Sequence, residues 1–409
     1  MRITTNLIYS QNLRSIDTNQ GNLVDIQQQL ASGKKLLRPS DDPVGAAQVI
    51  RLTEELDKIT QYQRNNDLAT NALEQQETAL RSINDVVNRA RVLTVQSGNG
   101  ILAKEDRKAI GAEIEQIRNQ VLDLMNTRNA SGEYIFAGYQ SSSQAFEFNP
   151  SASGNKVSFL GDDGENQIQI SDSVKIQSTS SGKSIFQEVF ARLNFEISGQ
   201  SAGVSVNTAR IDEQGSFDNF HKQNFDPVNA ANNQYRFDVL AGDQVSITNV
   251  GTGSVVSTQA FESGKPVRFA GMEFNFTGAV GDSLEIDLKR PEKKNLAETL
   301  NDMFIALTSD SISETAFVNA IDNTLVGLDN GLEKMSLESS SIGARLNIAE
   351  SVKESNLDSD LSLQSARSSI QDVDYAKAST EFAKQETALQ AAFQSFPRVA
   401  NLSLFNYIS

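Results

Sequence analysis

A chain of 409 residues with 38% hydrophobic content and a formal charge of −16 is long enough for two or three domains but thin in core material. Its charge excludes the clustered Lys and Arg that nucleic-acid phosphates draw on, and the absence of cysteine excludes disulfides, thiolate metal sites and a cysteine nucleophile. No apolar run approaches the ~18 residues of a membrane helix, and the N-terminus lacks a general secretory signal, so by these rules alone the chain reads as cytoplasmic.

The chain opens on an amphipathic segment, Ile3 to Leu30, with Leu13, Ile16, Leu23, Ile26 and Leu30 at helical spacing. Ser32-Gly33 ends it, because glycine reaches the left-handed conformation that closes a last turn, and Lys34 and Lys35 suit the negative end of the helix dipole. In the stretch RPSDDPVG, Asp42 before Pro43 reads as an N-cap followed by proline at the first helical position. Arg38, Asp41 and Asp42 therefore lie in a corner between two helices.

No proline occurs between Pro43 and Pro150, and Leu52, Ile59, Asn66, Leu73, Leu80 and Val87 recur every seven residues. Ala69, Gln76, Ile83 and Ala90 fill the companion positions of this heptad seam. A helix from Pro43 to Ser97 would run about 80 Å at ~1.5 Å per residue, and Gly98 and Gly100 end it. After Lys104 a shorter helix shows Ile110, Ile114, Ile117, Val121 and Leu124 on one face.

Between about residues 140 and 290 the composition turns to Gly, Ser, Asn and Phe, and the runs Gln167 to Ile170 and Tyr235 to Leu240 alternate as strands do. The one histidine, His221, has no second His and no Cys to complete a zinc or catalytic set, and reads as an exposed loop residue. Gly251-Thr-Gly253 lacks the lysine of a phosphate-binding loop and reads as a turn. Asp162-Asp163-Gly164 lacks the ligand pattern of a calcium loop and reads as a hairpin turn. Asn129-Ala130-Ser131 is a formal glycosylation sequon, which carries no weight by itself. No catalytic, cofactor-binding or metal-ligating residue is assigned.

The C-terminal flank repeats the heptads with Ile321, Leu328, Met335, Ile342, Ala349, Asn356, Leu363 and Ile370, and with Leu325, Leu332 and Leu346 beside them. Asn66, Gln76 and Asn356 either set the register of the seams or face water. The last forty residues carry Phe382, Leu389, Phe393, Phe396, Leu402, Leu404 and Phe405, with a bend or restart expected at Pro397. Two such terminal helices bury too little surface to stand alone, so they need partners, read as other copies of the chain.

The fold class expected is mixed and mainly α: a long antiparallel helical bundle or coiled coil built from both termini, with an inserted β-rich domain. Residues 1–40 and 372–409 form the terminal helices, 41–140 and 295–371 the long bundle, and 141–294 the insert.

SGKKLLRPSDDPVGAAQVIRL, the proline-free helix after it, SGEYIFAGYQSSSQAF and the terminal LSLFNYIS together resemble the flagellin-like proteins of bacterial flagella. The third and last of these elements are closer to the hook-filament junction branch than to flagellin itself. The resemblance covers residues 1–147 and 295–409, and FLGDDGENQIQI and GMEFNFTGAVGDSLEIDL are similar to β modules of hook-associated proteins. It implies a structural, non-enzymatic ring of identical subunits between hook-associated protein 1 and the flagellin filament. It also implies export by the flagellar type III apparatus with an export chaperone and without a cleaved signal, which replaces the cytoplasmic expectation with an extracellular one. No cofactor, nucleic acid or membrane insertion is implied. The terminal apolar residues named above would form the inner tube, and Arg38, Asp41 and Asp42 would meet neighbouring copies. The alternatives are flagellin or a minor filament subunit and, from another class, a surface adhesin or enzyme carried on the β insert.

Overall fold

A computed structural model describes the backbone of residues 2–100 and 102–408 and the side chains of residues 7, 9–100 and 102–395. It divides into two compact units: Met1–Thr70 with Ile168–Ile176 and Leu346–Ser409, and Asn71–Gln167 with Gln177–Arg345.

The first unit contains helix α1 (Arg2–Ser32), the start of α2 (Pro43–Ser97), the end of the helix preceding the C-terminal one, and the C-terminal helix itself. In chain order the other helices are α3 (Lys104–Met125), α4 (Gln214–Asn224), α5 (Leu296–Thr308), α6 (Glu314–Gln371) and α7 (Tyr375–Ile408). α1 packs along α7. The end of α1 and the beginning of α7 meet at an isolated antiparallel bridge between Lys34 and Asp372, so the two helices run antiparallel. α7 is continuous across Pro397, so the helix does not restart there.

Within this unit the Asn66 Nδ2 of α2 donates to the Ala349 carbonyl of α6 at 2.8 Å, and Lys353 pairs with Asp67 at 2.9 Å. Over these helices lies the hairpin of β3 (Gln167–Gln169) and β4 (Lys175–Gln177), which follows the earlier hairpin of β1 (Phe146–Phe148) and β2 (Val157–Phe159). Ile170 and Ile176 are buried there.

In the second unit the seam residues Leu73, Leu80, Ile83, Val87 and Ala90 of α2 are buried, as are Ile321, Leu328, Met335 and Ile342 of α6. Arg91 reaches Asp329 at 2.6 Å, and a Cβ on Gly98 would lie 3.5 Å from Ile321 Cδ1. These pairings set the end of α2 against the start of α6, with numbers falling along one helix as they rise along the other, as an antiparallel bundle requires. α3 presents Ile110, Ile114, Ile117, Val121 and Met125 to the core, its last contact coming from Met125 in place of the expected Leu124. α5 packs on α3 and was not anticipated. Asn295 caps it by accepting the Ala297 N–H at 2.8 Å, and Leu296, Leu300, Met303 and Leu307 bury one side.

The remaining strands are β5 (Val189–Phe190), β6 (Phe195–Gln200), β7 (Ser205–Ile211), β8 (Gln234–Leu240), β9 (Gln244–Asn249), β10 (Val255–Ala260), β11 (Pro266–Phe269), β12 (Met272–Thr277), β13 (Ser283–Leu288) and β14 (Lys293–Lys294). Five form an antiparallel sheet in the order β10-β9-β8-β13-β6, and three form another in the order β11-β12-β7. Alternating side chains from both sheets share one core, in which Phe237 of the first meets Phe274 of the second at 4.8 Å between ring centres. This is a β-sandwich, and Phe217 of α4 plugs its core. The mainly helical architecture with an inserted β region is thus as expected.

Candidate assembly surface

The corner after α1 is built by glycine and aspartate. Gly33 adopts φ +71°, and its N–H closes the last turn on Gln29 at 2.9 Å. A Cβ there would stand 3.0 Å from Tyr375 Oη, which would have to give way by a few tenths of an ångström, so the left-handed φ is the main bar to a side chain. Asp42 Oδ1 accepts the N–H groups of Val44 at 3.2 Å and Gly45 at 3.0 Å, which are donors that the first turn of a helix cannot satisfy internally. Asp41 Oδ2 accepts the Arg38 N–H at 2.8 Å, closing the turn that carries Pro39. The Arg38 guanidinium is exposed and has no ion-pair partner among the described residues.

A second corner, between α6 and α7, meets the first. Lys35 donates its N–H to the Gln371 carbonyl at 2.7 Å, and Val373 donates to the Gly33 carbonyl at 3.0 Å. Asp374 caps α7 through the Lys377 N–H at 3.1 Å. Beside this joint opens a cleft of about 740 Å³ walled by Lys34, Thr53, Leu361, Gln371 and Asp372. The capping role of Asp374 was missed in the sequence, although an aspartate just before an amphipathic run is the ordinary signal for one.

The terminal pair leaves apolar surface uncovered. Leu13 is 44% exposed and Phe393 54%, while Ile16, Leu23, Ile26, Leu30, Phe382 and Leu389 are half-buried. Among the described side chains of α7 only Ala378 is buried. Phe396, Leu402, Leu404 and Phe405 lie outside the described side chains. Single exposed apolar residues are ordinary, and here they recur along both helices of the pair.

The three polar seam residues do not face water. Asn66, Gln76 and Asn356 are buried, and each donates to a backbone carbonyl: Ala349 at 2.8 Å, Ser178 at 2.6 Å and Ile170 at 2.9 Å. Asn65 adds a bond to the Gln169 carbonyl at 2.8 Å, and Tyr62 Oη donates to Asp172 at 2.9 Å. Asn356, Asn65 and Tyr62 thus fasten the β3-β4 hairpin to α2 and α6, and only Asn66 links helix to helix.

The insert offers no catalytic constellation. His221 is 1% exposed on α4, with Nε2 2.7 Å from the Lys289 carbonyl, which corrects its reading as an exposed loop residue. Asp162 does not sit in a hairpin turn. Its Oδ1 accepts the Tyr139 and Gly164 N–H groups, each at 2.8 Å, anchoring the β2-β3 connection to the segment Glu133 to Tyr139. Gly251 to Gly253 is the turn between β9 and β10, as expected. No group of three or more metal-ligating side chains occurs among the described residues, and no described helix is long and apolar enough to cross a membrane.

Residues 3–141 match the bacterial flagellin N-terminal helical region, and residues 325–408 match the corresponding C-terminal helical region. The flagellar hook-associated protein 3 of Escherichia coli (strain K12) is 25% identical over 405 residues, 99% of each chain. The protein of the same name from Salmonella typhimurium (strain LT2) is 32% identical over 147 residues, which is 36% of this chain and 46% of that one. In fold, the chain is similar to the crystal structure of Xanthomonas campestris FlgL, with a TM-score of 0.57 and 24% identity over 78% of this chain and 99% of the other.

Proposed function

We propose, from the premise that this chain belongs to the flagellin family through both its helical flanks, that it is the hook-filament junction subunit of a bacterial flagellum. The observation that carries this is the end-to-end likeness to a hook-associated protein 3, over 99% of each chain. The protein is a structural part of an extracellular organelle and does its work by packing.

The division of labour we propose follows the boundaries expected from the sequence. Residues 1–40 and 372–409 supply the tube wall, 41–140 and 295–371 the surrounding bundle, and 141–294 the outer module. Copies of the chain form a ring, with hook-associated protein 1 on one side and flagellin on the other, and an export chaperone holds the chain before it leaves the cell. Leu13, Ile16, Leu23, Ile26, Leu30, Phe382, Leu389, Phe393, Phe396, Leu402, Leu404 and Phe405 cover one another across copies. Burying such side chains contributes about 25 cal/mol per Å² of apolar area, so the row is worth more in an assembly than in the lone chain. Arg38, exposed and without an ion-pair partner among the described residues, reaches a neighbour, while Asp41 and Asp42 hold the turn that presents it.

Deleting the gene and inspecting cells by electron microscopy tests the reading. Bare hooks with flagellin shed into the medium are expected. Normal filaments on normal hooks, in a strain with a single copy of the gene, would move the protein to the filament itself.

A further inference from the structure

Where glycine follows asparagine or aspartate, the glycine nitrogen carries no neighbouring side chain to block its approach to the preceding side-chain carbonyl, and a five-membered imide ring can close. The chain has three such steps, Asn99-Gly100, Asp163-Gly164 and Asn330-Gly331, and the fold treats them differently.

Asp163-Gly164 is held shut by hydrogen bonding and charge. The Gly164 N–H is bound by Asp162 Oδ1 at 2.8 Å, and the Asp163 carboxylate pairs with Lys183 at 2.7 Å. Asn330-Gly331 lies inside α6, where the Gly331 N–H belongs to the helical ladder. Asn330 Nδ2 also donates to the Phe190 carbonyl at 2.7 Å, and Gly331 is buried so closely that a Cβ would stand 2.6 Å from Leu296 Cδ1. Asn99-Gly100 is the open one. It follows the end of α2, and Gly98, Asn99 and Gly100 are all exposed. The Asn99 N–H donates to the Gln96 carbonyl at 3.2 Å, and its own carbonyl accepts the Leu102 N–H at 3.0 Å. The Gly100 N–H donates to no group among the described residues, and beyond the chain neighbours no atom lies within 4 Å of the place a Cβ would take.

We propose that Asn99 is a site of spontaneous deamidation, which the fold leaves open while it closes the other two steps. The Gly100 nitrogen gives up its proton and attacks Asn99 Cγ. A new N–Cγ bond forms, the Cγ–Nδ2 bond breaks, and Nδ2 leaves as ammonia with that proton. A water molecule from the medium then opens the ring at either carbonyl, giving aspartate or isoaspartate, and nothing is oxidised or reduced. Both products set a carboxylate just past the C-terminal end of α2, where the helix dipole is already negative. Isoaspartate also routes the backbone through one extra carbon, inside a turn closed by the Gln96 and Leu102 bonds. The reaction therefore loosens the turn that joins α2 to α3, slowly and in one direction, and it needs no enzyme.

The purified full chain, aged in warm neutral buffer and digested with trypsin, tests this. The peptide from Val92 to Lys104 contains one asparagine, so its mass follows Asn99 as an amide is exchanged for an acid. In the folded chain Asn99 is expected to convert roughly tenfold faster than Asn330, or more, because the interior of α6 reacts only when it opens. In guanidinium the two rates converge, since both asparagines then precede glycine in an open chain. Comparable rates in the folded chain overturn the proposal, as does an Asn99 that stays intact while the unfolded chain converts. Amide exchange reads the consequence: aged wild type loses protection in the last turn of α2, and Asn99→Gln aged beside it does not. Unchanged protection in converted wild type overturns the loosening.

Discussion

The Lys35 N–H lies 2.7 Å from the Gln371 carbonyl, so two residues near opposite ends of the sequence close the two corners of the helical unit against each other. With the return bond from Val373 to Gly33, they form a two-bond antiparallel bridge at the one place where both chain ends turn from the terminal pair into the long helices. Gly33 holds this joint open. Its left-handed φ costs an L-residue about 1–2 kcal/mol, and the space a Cβ needs is taken by the Tyr375 hydroxyl. Gly33→Ala is therefore expected to lower stability by at least that amount, and Tyr375→Phe in the same chain should recover only the steric share. Denaturant unfolding of the three proteins measures both parts, and an Ala variant as stable as the parent would refute the account.

At Asp42 the cap and the charge separate by substitution. Asp42→Ala removes the acceptor of two N–H groups and should cost about 1 kcal/mol, whereas Asp42→Asn keeps the acceptor and should cost a few tenths at most. If the charge also serves contact between copies, the Asp42→Asn variant will fold normally but assemble less well at low salt. Light scattering of the purified chain at two salt concentrations checks this, and equal assembly would leave Asp42 as a cap alone.

The buried amide of Asn356 fastens the hairpin through the Ile170 carbonyl. Asn356→Ala leaves that carbonyl without a donor away from water, at a cost of about 1–3 kcal/mol. Asn356→Leu adds apolar volume but not the bond, so it should not restore stability. Thermal unfolding ranks the three, and a Leu variant above the wild type would show that the amide serves specificity over stability.

How much of this could be read from the residues depended on repetition. The two seams were legible because each heptad repeats the same statement, and the corner was legible because Gly33 and Asp42-Pro43 are local signals. The partners of Asn356 and Gln76 are remote in sequence, so nothing local distinguishes a buried amide from a solvated one. α5 escaped because its 13 residues are too few for a heptad repeat, and because the polar Glu298, Thr299 and Asn301 are buried beside its apolar row, which blurs the period. His221 was misread because Phe217 and Phe220 are the only apolar residues beside it on α4, amid polar neighbours. The exposed positions of Leu13 and Phe393 were legible as part of amphipathic segments.

On the three-stranded sheet, Glu273 is buried and receives Arg268 at 3.0 Å and Arg210 at 2.9 Å. The Arg268 hydrogen bond, followed by the charge of Arg210, holds its carboxyl below the ordinary carboxylate value. A depressed folded pKa means that this contribution is complete above the unfolded value of about 4.5 and disappears as pH falls through the folded one. Glu273→Gln should then be less stable than the wild type at neutral pH and converge with it in acid. Melting curves from neutral to acid pH that stay parallel would exclude the pair as a source of acid sensitivity.

The doubled corner has a mechanical consequence. A rotating filament delivers torque, and any subunit between rotor and filament must carry that load through its own backbone. Here both covalent crossings between the terminal pair and the long helices occur side by side and are cross-linked by the Lys35-Gln371 and Val373-Gly33 bonds. Neither strand can be strained alone, so the joint shares twist between two chain segments where a single turn would act as a hinge.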